Sequence, residues 1–107
     1  MHWFNYLGYF FGGLFLANTL PHLINGISGR PFQSPFAKPP GKGLSSSTVN
    51  VLWGFFNLVV AWLLLVKQGD FNLHDDGQVT ALGAGILVMS IMLARSFGPF
   101  HGGVLKK

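Results

Sequence analysis

The sequence predicts an all-α integral membrane protein of three transmembrane helices, N-terminus outside and C-terminus in the cytoplasm, with a long Pro/Gly-rich cytoplasmic loop between helices 1 and 2. Three observations predict it. Half of the 107 residues are hydrophobic and only 9% are charged, with a mean hydropathy of +0.45, whereas soluble domains carry about a quarter charged residues. Three stretches are apolar and long enough to be read as spans of a hydrocarbon core about 30 Å thick. The basic residues gather on one side of those spans. A water-soluble domain of this size leaves much of its surface exposed and has too few charges here to cover it. The chain reads as a single membrane domain: spans over about 3–25, 48–67 and 78–97, an ordered loop over 26–46, an outer loop over 68–77 and a tail over 98–107.

The first span, from Trp3 onward, contains no Asp, Glu, Lys or Arg. It has no basic segment before it and no small-residue cleavage site after it, since His22, Leu23, Ile24 and Asn25 follow, so it reads as a retained helix and not a signal peptide. The second span follows the cap-forming Ser45, Ser46, Ser47 and Thr48 and ends at Lys67. The third offers only 16 uncharged residues, Val79–Ala94, so it must extend past Arg95 with snorkelling ends, and Gly98 with Pro99 is expected to stop it. An interfacial or re-entrant helix is the alternative for this segment.

Charge orients the spans. Arg30, Lys38, Lys42, Arg95, Lys106 and Lys107 fall on one side; Lys67 falls on the other with all three acids, Asp70, Asp75 and Asp76. Basic residues mark the cytoplasmic side, and the membrane expected is a bacterial inner (plasma) membrane. In the cytoplasmic loop, Pro31-Phe32 and Pro35-Phe36 repeat a Pro-Phe pair that recurs at Pro99-Phe100. Proline withholds a donor and disfavours helix, so the loop should run extended. Phe32 and Phe36, near Arg30, need apolar surroundings, at the interface or against the helix ends. A disordered linker is the competing reading.

Each span carries a polar or small face. Asn18, His22 and Asn25 share one side of the first helix with Phe11 and Phe15; Asn50, Trp53, Gly54, Asn57 and Ala61 share a stripe of the second; Gly83, Leu87, Ser90 and Ala94 align on the third. Such faces are expected to meet protein while the bulky faces meet lipid. Unpaired amides in hydrocarbon are costly, so Asn18, His22 and Asn25 are expected to face Asn50 and Asn57. Gly8 and Gly12 are spaced for close helix contact, as are Gly13 and Ala17, and Gly54, Gly83 and Ser90 are further candidates for packing.

The chemistry these residues allow is narrow. Without cysteine there is neither a disulfide nor a thiolate site. No carboxylate lies within a span and no nucleophile–base pair or phosphate-binding glycine motif is present, so no catalytic residue is assigned and the chain is not read as an enzyme. The outer-side set His2, His74, Asp75 and Asp76 has metal-binding residue types without diagnostic spacing and reads better as a solvated turn, so no metal site is assigned. The basic residues are too sparse for nucleic acid.

His22, alone among the histidines in being well inside a span, could ligate a haem or pigment metal. A hydrogen-bonded histidine is the simpler reading, and no cofactor is expected beyond bound lipid. The first functional expectation is therefore a structural or accessory subunit of a membrane assembly, either its own homo-oligomer or a complex with partner membrane subunits. The alternative is a homo-oligomeric channel or small-solute transporter lined by the Asn/His stripe, with Arg30 at its mouth. A pigment- or haem-binding subunit, or an enzyme acting on a lipid or quinone, stands behind these.

Overall fold

The computed structural model describes residues 3–105 and is built almost wholly of helix. The first helix, α1, runs Trp3–Ile27; the second, α2, runs Ser47–Trp62 and continues as a π-helical turn over Leu63–Lys67; the third, α3, runs Asp76–His101. All three are long and apolar enough to cross a membrane, the second when its π turn is included. At 1.5 Å per residue, α1 spans about 37 Å.

The central helix is α1. Both α2 and α3 pack along it while scarcely touching each other, so α1 needs two close-approach faces. Gly12 and Gly13, about 100° apart on the helix, serve one each. A methyl on Gly12 would fall 2.6 Å from the Leu65 side chain, whereas one on Gly13 would collide with the Leu82 carbonyl of α3. The partner surfaces are glycine as well: Gly54 of α2 lies against the Leu23 backbone, and a methyl on Gly85 of α3 would strike the Phe10 carbonyl oxygen. Gly8 is a looser contact, where an added methyl would lie 3.8 Å from the Leu64 carbonyl.

The stripe expected to make α3 pack does not do so. Gly83 and Ser90 are exposed, and nothing lies within 4 Å of a methyl placed on Gly83. Leu87 and Ala94 are exposed with them. Gly83 and Gly85 stand about 200° apart on a helix; backbone-to-backbone contact at Gly13 and Gly85 selects the opposite face of α3.

The ends are set locally. The Ser46 hydroxyl accepts from the Val49 N–H at the start of α2, and Asp75 accepts from the Gln78 N–H at the start of α3. The expected stop at Gly98 and Pro99 is wrong, for α3 continues through Pro99 to His101. It ends where Gly102 takes a left-handed conformation, φ 79°, and the Gly103 N–H reaches back to the Gly98 carbonyl. Proline near a helix C-terminus forfeits one bond without breaking the turns before it. The π turn after Trp62 carries no mark in the sequence.

The connection between α1 and α2 departs from an all-helical description. Phe32–Gln33 (β1) and Leu44–Ser45 (β2) form a two-residue antiparallel ladder, and the intervening turns close on Ser34, whose carbonyl accepts from the Ala37 and Gly41 N–H groups. Phe32, Gln33, Ser34 and Ala37 are all buried. At the other end of the molecule, the Tyr9 hydroxyl donates to the Gly69 carbonyl, and Tyr9 is fully buried with its ring against Phe71.

Candidate functional site

The site is built around Asn50, in the first turns of α2 and completely buried. Its Nδ2 group donates to three backbone carbonyls, those of Phe32, Ser45 and Ser46, at 3.0–3.2 Å. Carbonyls only accept, so this contact fixes which end of the amide faces which way. The opposite end, Oδ1, stands 2.8 Å from Nδ1 of His22 on α1. The imidazole must therefore donate through Nδ1, and when neutral it carries its lone pair on Nε2. Nε2 has no hydrogen-bond partner among the described residues.

Aromatic rings fix the imidazole laterally. Phe32, Trp53 and Phe97 pack edge-to-face about it, with centroids 5.6–6.2 Å away. Phe32 comes from the loop and is sandwiched between two histidines, since His101 stacks on it at 5.0 Å. His101 Nε2 then meets Gln33 Oε1 at 2.8 Å. The end of α3 is thus tied to the loop through a pair of residues 68 positions apart.

One turn deeper, Asn18 Nδ2 donates to Asn57 Oδ1 at 3.0 Å, and Asn57 Nδ2 donates to the Trp53 carbonyl at 2.8 Å. Asn57 is as completely buried as Asn50. The α1–α2 seam therefore brings Asn18, His22, Asn50 and Asn57 together. It does not include Asn25. That side chain donates to the Pro21 carbonyl at 2.7 Å and accepts from Arg30 Nε at 3.1 Å, so it finishes α1 and holds Arg30 instead of meeting the amides of α2. Phe36 is largely exposed, with its ring edge on Trp53.

A cavity of about 760 Å³ opens beside this cluster. Asn18 and His22 form its floor, Trp53 and Phe97 its sides, and the Ser34–Lys42 part of the loop overlies it. It occupies the groove left because α2 and α3 scarcely meet. Trp53 Nε1 is buried without an acceptor among the described residues, which is unusual for an indole N–H.

Sequence reasoning grouped Asn18, His22, Asn50 and Asn57, wrongly added Asn25, and missed the cavity, the role of His101, and the Trp53 N–H. The third Pro-Phe pair, Pro99-Phe100, lines the cavity opposite Pro35, and its recurrence was the available signal. Of the four residues weighed for a metal site, His2 lies outside the described residues, the His74 N–H donates to Asn72 Oδ1, and Asp75 caps α3. No protein-family model, curated protein or solved structure is similar to the chain, so what this site does rests on its geometry and chemistry.

Proposed function

We propose that the chain is an integral membrane protein, with the Arg30–Lys42 loop and C-terminus on the cytoplasmic side of a bacterial plasma membrane, acting as a structural or accessory subunit of a membrane assembly. The observation that carries this reading is the closure of Asn50 and Asn57, both fully buried, on His22, Asn18 and backbone carbonyls. Groups paired this way hold helices together and are withdrawn from any water-filled path. That weakens the transport alternative, in which Asn50 and Asn57 would face water. Large side chains such as Leu52, Phe55, Trp62, Leu87 and Ile91 point outward, an arrangement suited to lipid or partner helices and costly in water.

Basic residues support the orientation. Arg30, Lys38, Lys42 and Arg95 lie toward the end opposite Lys67, Asp70, Asp75 and Asp76; Lys106 and Lys107 lie outside the described residues. Alkaline carbonate extraction, paired with reporter fusions after Lys107, tests insertion and orientation. Native mass spectrometry from mild detergent tests assembly: an oligomer or a complex with a partner subunit is expected, and a bare monomer would count against the accessory role.

A further inference from the structure

We propose that the cavity over His22 binds the head of a lipid-soluble hydroquinone or phenol, its hydroxyl donating to His22 Nε2. The inference rests on the membrane reading above, which supplies lipophilic ligands to the groove.

The argument begins at Asn50. Because its Nδ2 is held by three carbonyls, Oδ1 is committed to His22 Nδ1–H, and neutral His22 offers the cavity an acceptor. Trp53 contributes its ring, whose centroid is 6.2 Å from that of His22, while its N–H is enclosed and does not open on the cavity. Both residues line the same space. A bare acceptor in an aromatic-walled cavity is complementary to a neutral O–H donor. It is poorly complementary to an anion, whose lone pairs would oppose Nε2, and to a cation, which would meet Lys42.

The remaining walls specify the rest of the molecule. Phe97, Phe100, Pro35, Pro40 and Pro99 present flat apolar surfaces, which suit an aromatic ring. A tail has a way out, because α2 and α3 hardly touch and the groove between them is open along its side. Lys42, the charged residue at the edge of the cavity, has an ammonium that can stay in water while its stem covers the ring.

Full-length protein in phosphatidylcholine nanodiscs, titrated calorimetrically with decylubiquinol against empty nanodiscs, tests the site. Saturable one-to-one binding is expected, at least tenfold tighter than for the bis-methyl ether of the same compound, which leaves Nε2 unpaired. His22→Asn keeps a donor for Asn50 Oδ1, removes Nε2 and should weaken decylubiquinol about tenfold while leaving the ether unchanged; Trp53→Phe keeps a ring, removes only the enclosed N–H and should leave both affinities unchanged. Absence of saturable binding, equal affinity for the ether, or indifference to His22→Asn would overturn the assignment. So would a Soret band in the purified protein, which would give Nε2 to a haem iron. Release by carbonate would sink the membrane reading itself; retention without binding would sink the cavity ligand alone.

Discussion

Asn50 holds His22 from one side and the loop from the other: its Oδ1 is 2.8 Å from the imidazole Nδ1, and its Nδ2 reaches the carbonyl of Phe32 at 3.1 Å. A single amide thus joins α1, α2 and the β1–β2 connection. Asn50→Ala would strand the Nδ1–H and take a donor from the Phe32 and Ser45 carbonyls, while the Ser46 carbonyl keeps the backbone N–H of residue 50, at about 1–3 kcal/mol for a buried group left unsatisfied. Asn50→Asp should be worse, because a carboxylate would face those carbonyls with no hydrogen to give. Reversible unfolding in mixed micelles should rank the proteins wild type, Ala, Asp; equal stability of all three would contradict the network.

The Asn18–Asn57 bond should behave as coupled glue. In a double-mutant cycle with Asn18→Ala and Asn57→Ala, a coupling energy of about 0.6–1.7 kcal/mol is expected, in line with interhelical bonds in membranes. Proteoliposome permeability to small neutral solutes should be the same in all four proteins. A loss of flux on Asn57→Ala would restore the transport reading.

Two glycines on one helix give opposite expectations. Gly85→Ala drives a methyl into the Phe10 carbonyl and should cost about 1–3 kcal/mol by forcing α1 and α3 apart. Gly83→Ala enters open space and should leave stability unchanged or raise it by up to about 1 kcal/mol through helix propensity. Thermal melts of the two proteins in the same detergent make the comparison.

Tyr9→Phe keeps the ring against Phe71 and removes the hydroxyl that donates to Gly69. The expected loss is about 1 kcal/mol, and it should appear as faster hydrogen exchange around Gly69 and Asp70, at the far end of the molecule from His22.

Much of this was legible in the residues. The three apolar stretches predict the three helices because hydropathy over a span is additive along the chain. The α2 stripe of Asn50, Gly54, Asn57 and Ala61 is the buried one, since strict helical spacing leaves a polar set one direction to share. The same reasoning failed on α3, where Gly83 and Ser90 form an equally regular stripe that faces outward. Small residues permit contact without requiring it; the depth of the Gly13–Gly85 crossing settled the face. It failed also at Asn25, which a wheel groups with Asn18 and His22 although the end of α1 lets it bond to Pro21 and Arg30 locally.

By itself, then, the sequence determined three long apolar helices, a Ser/Thr cap before the second, and the amides that must find partners, because these follow from spacing and composition within one segment. Tertiary structure alone decided that α1 is central, that Phe32 sits between His22 and His101, and that a cavity opens where α2 and α3 fail to meet. Those features depend on how residues 68 positions apart are carried to one place, and no local pattern encodes that distance.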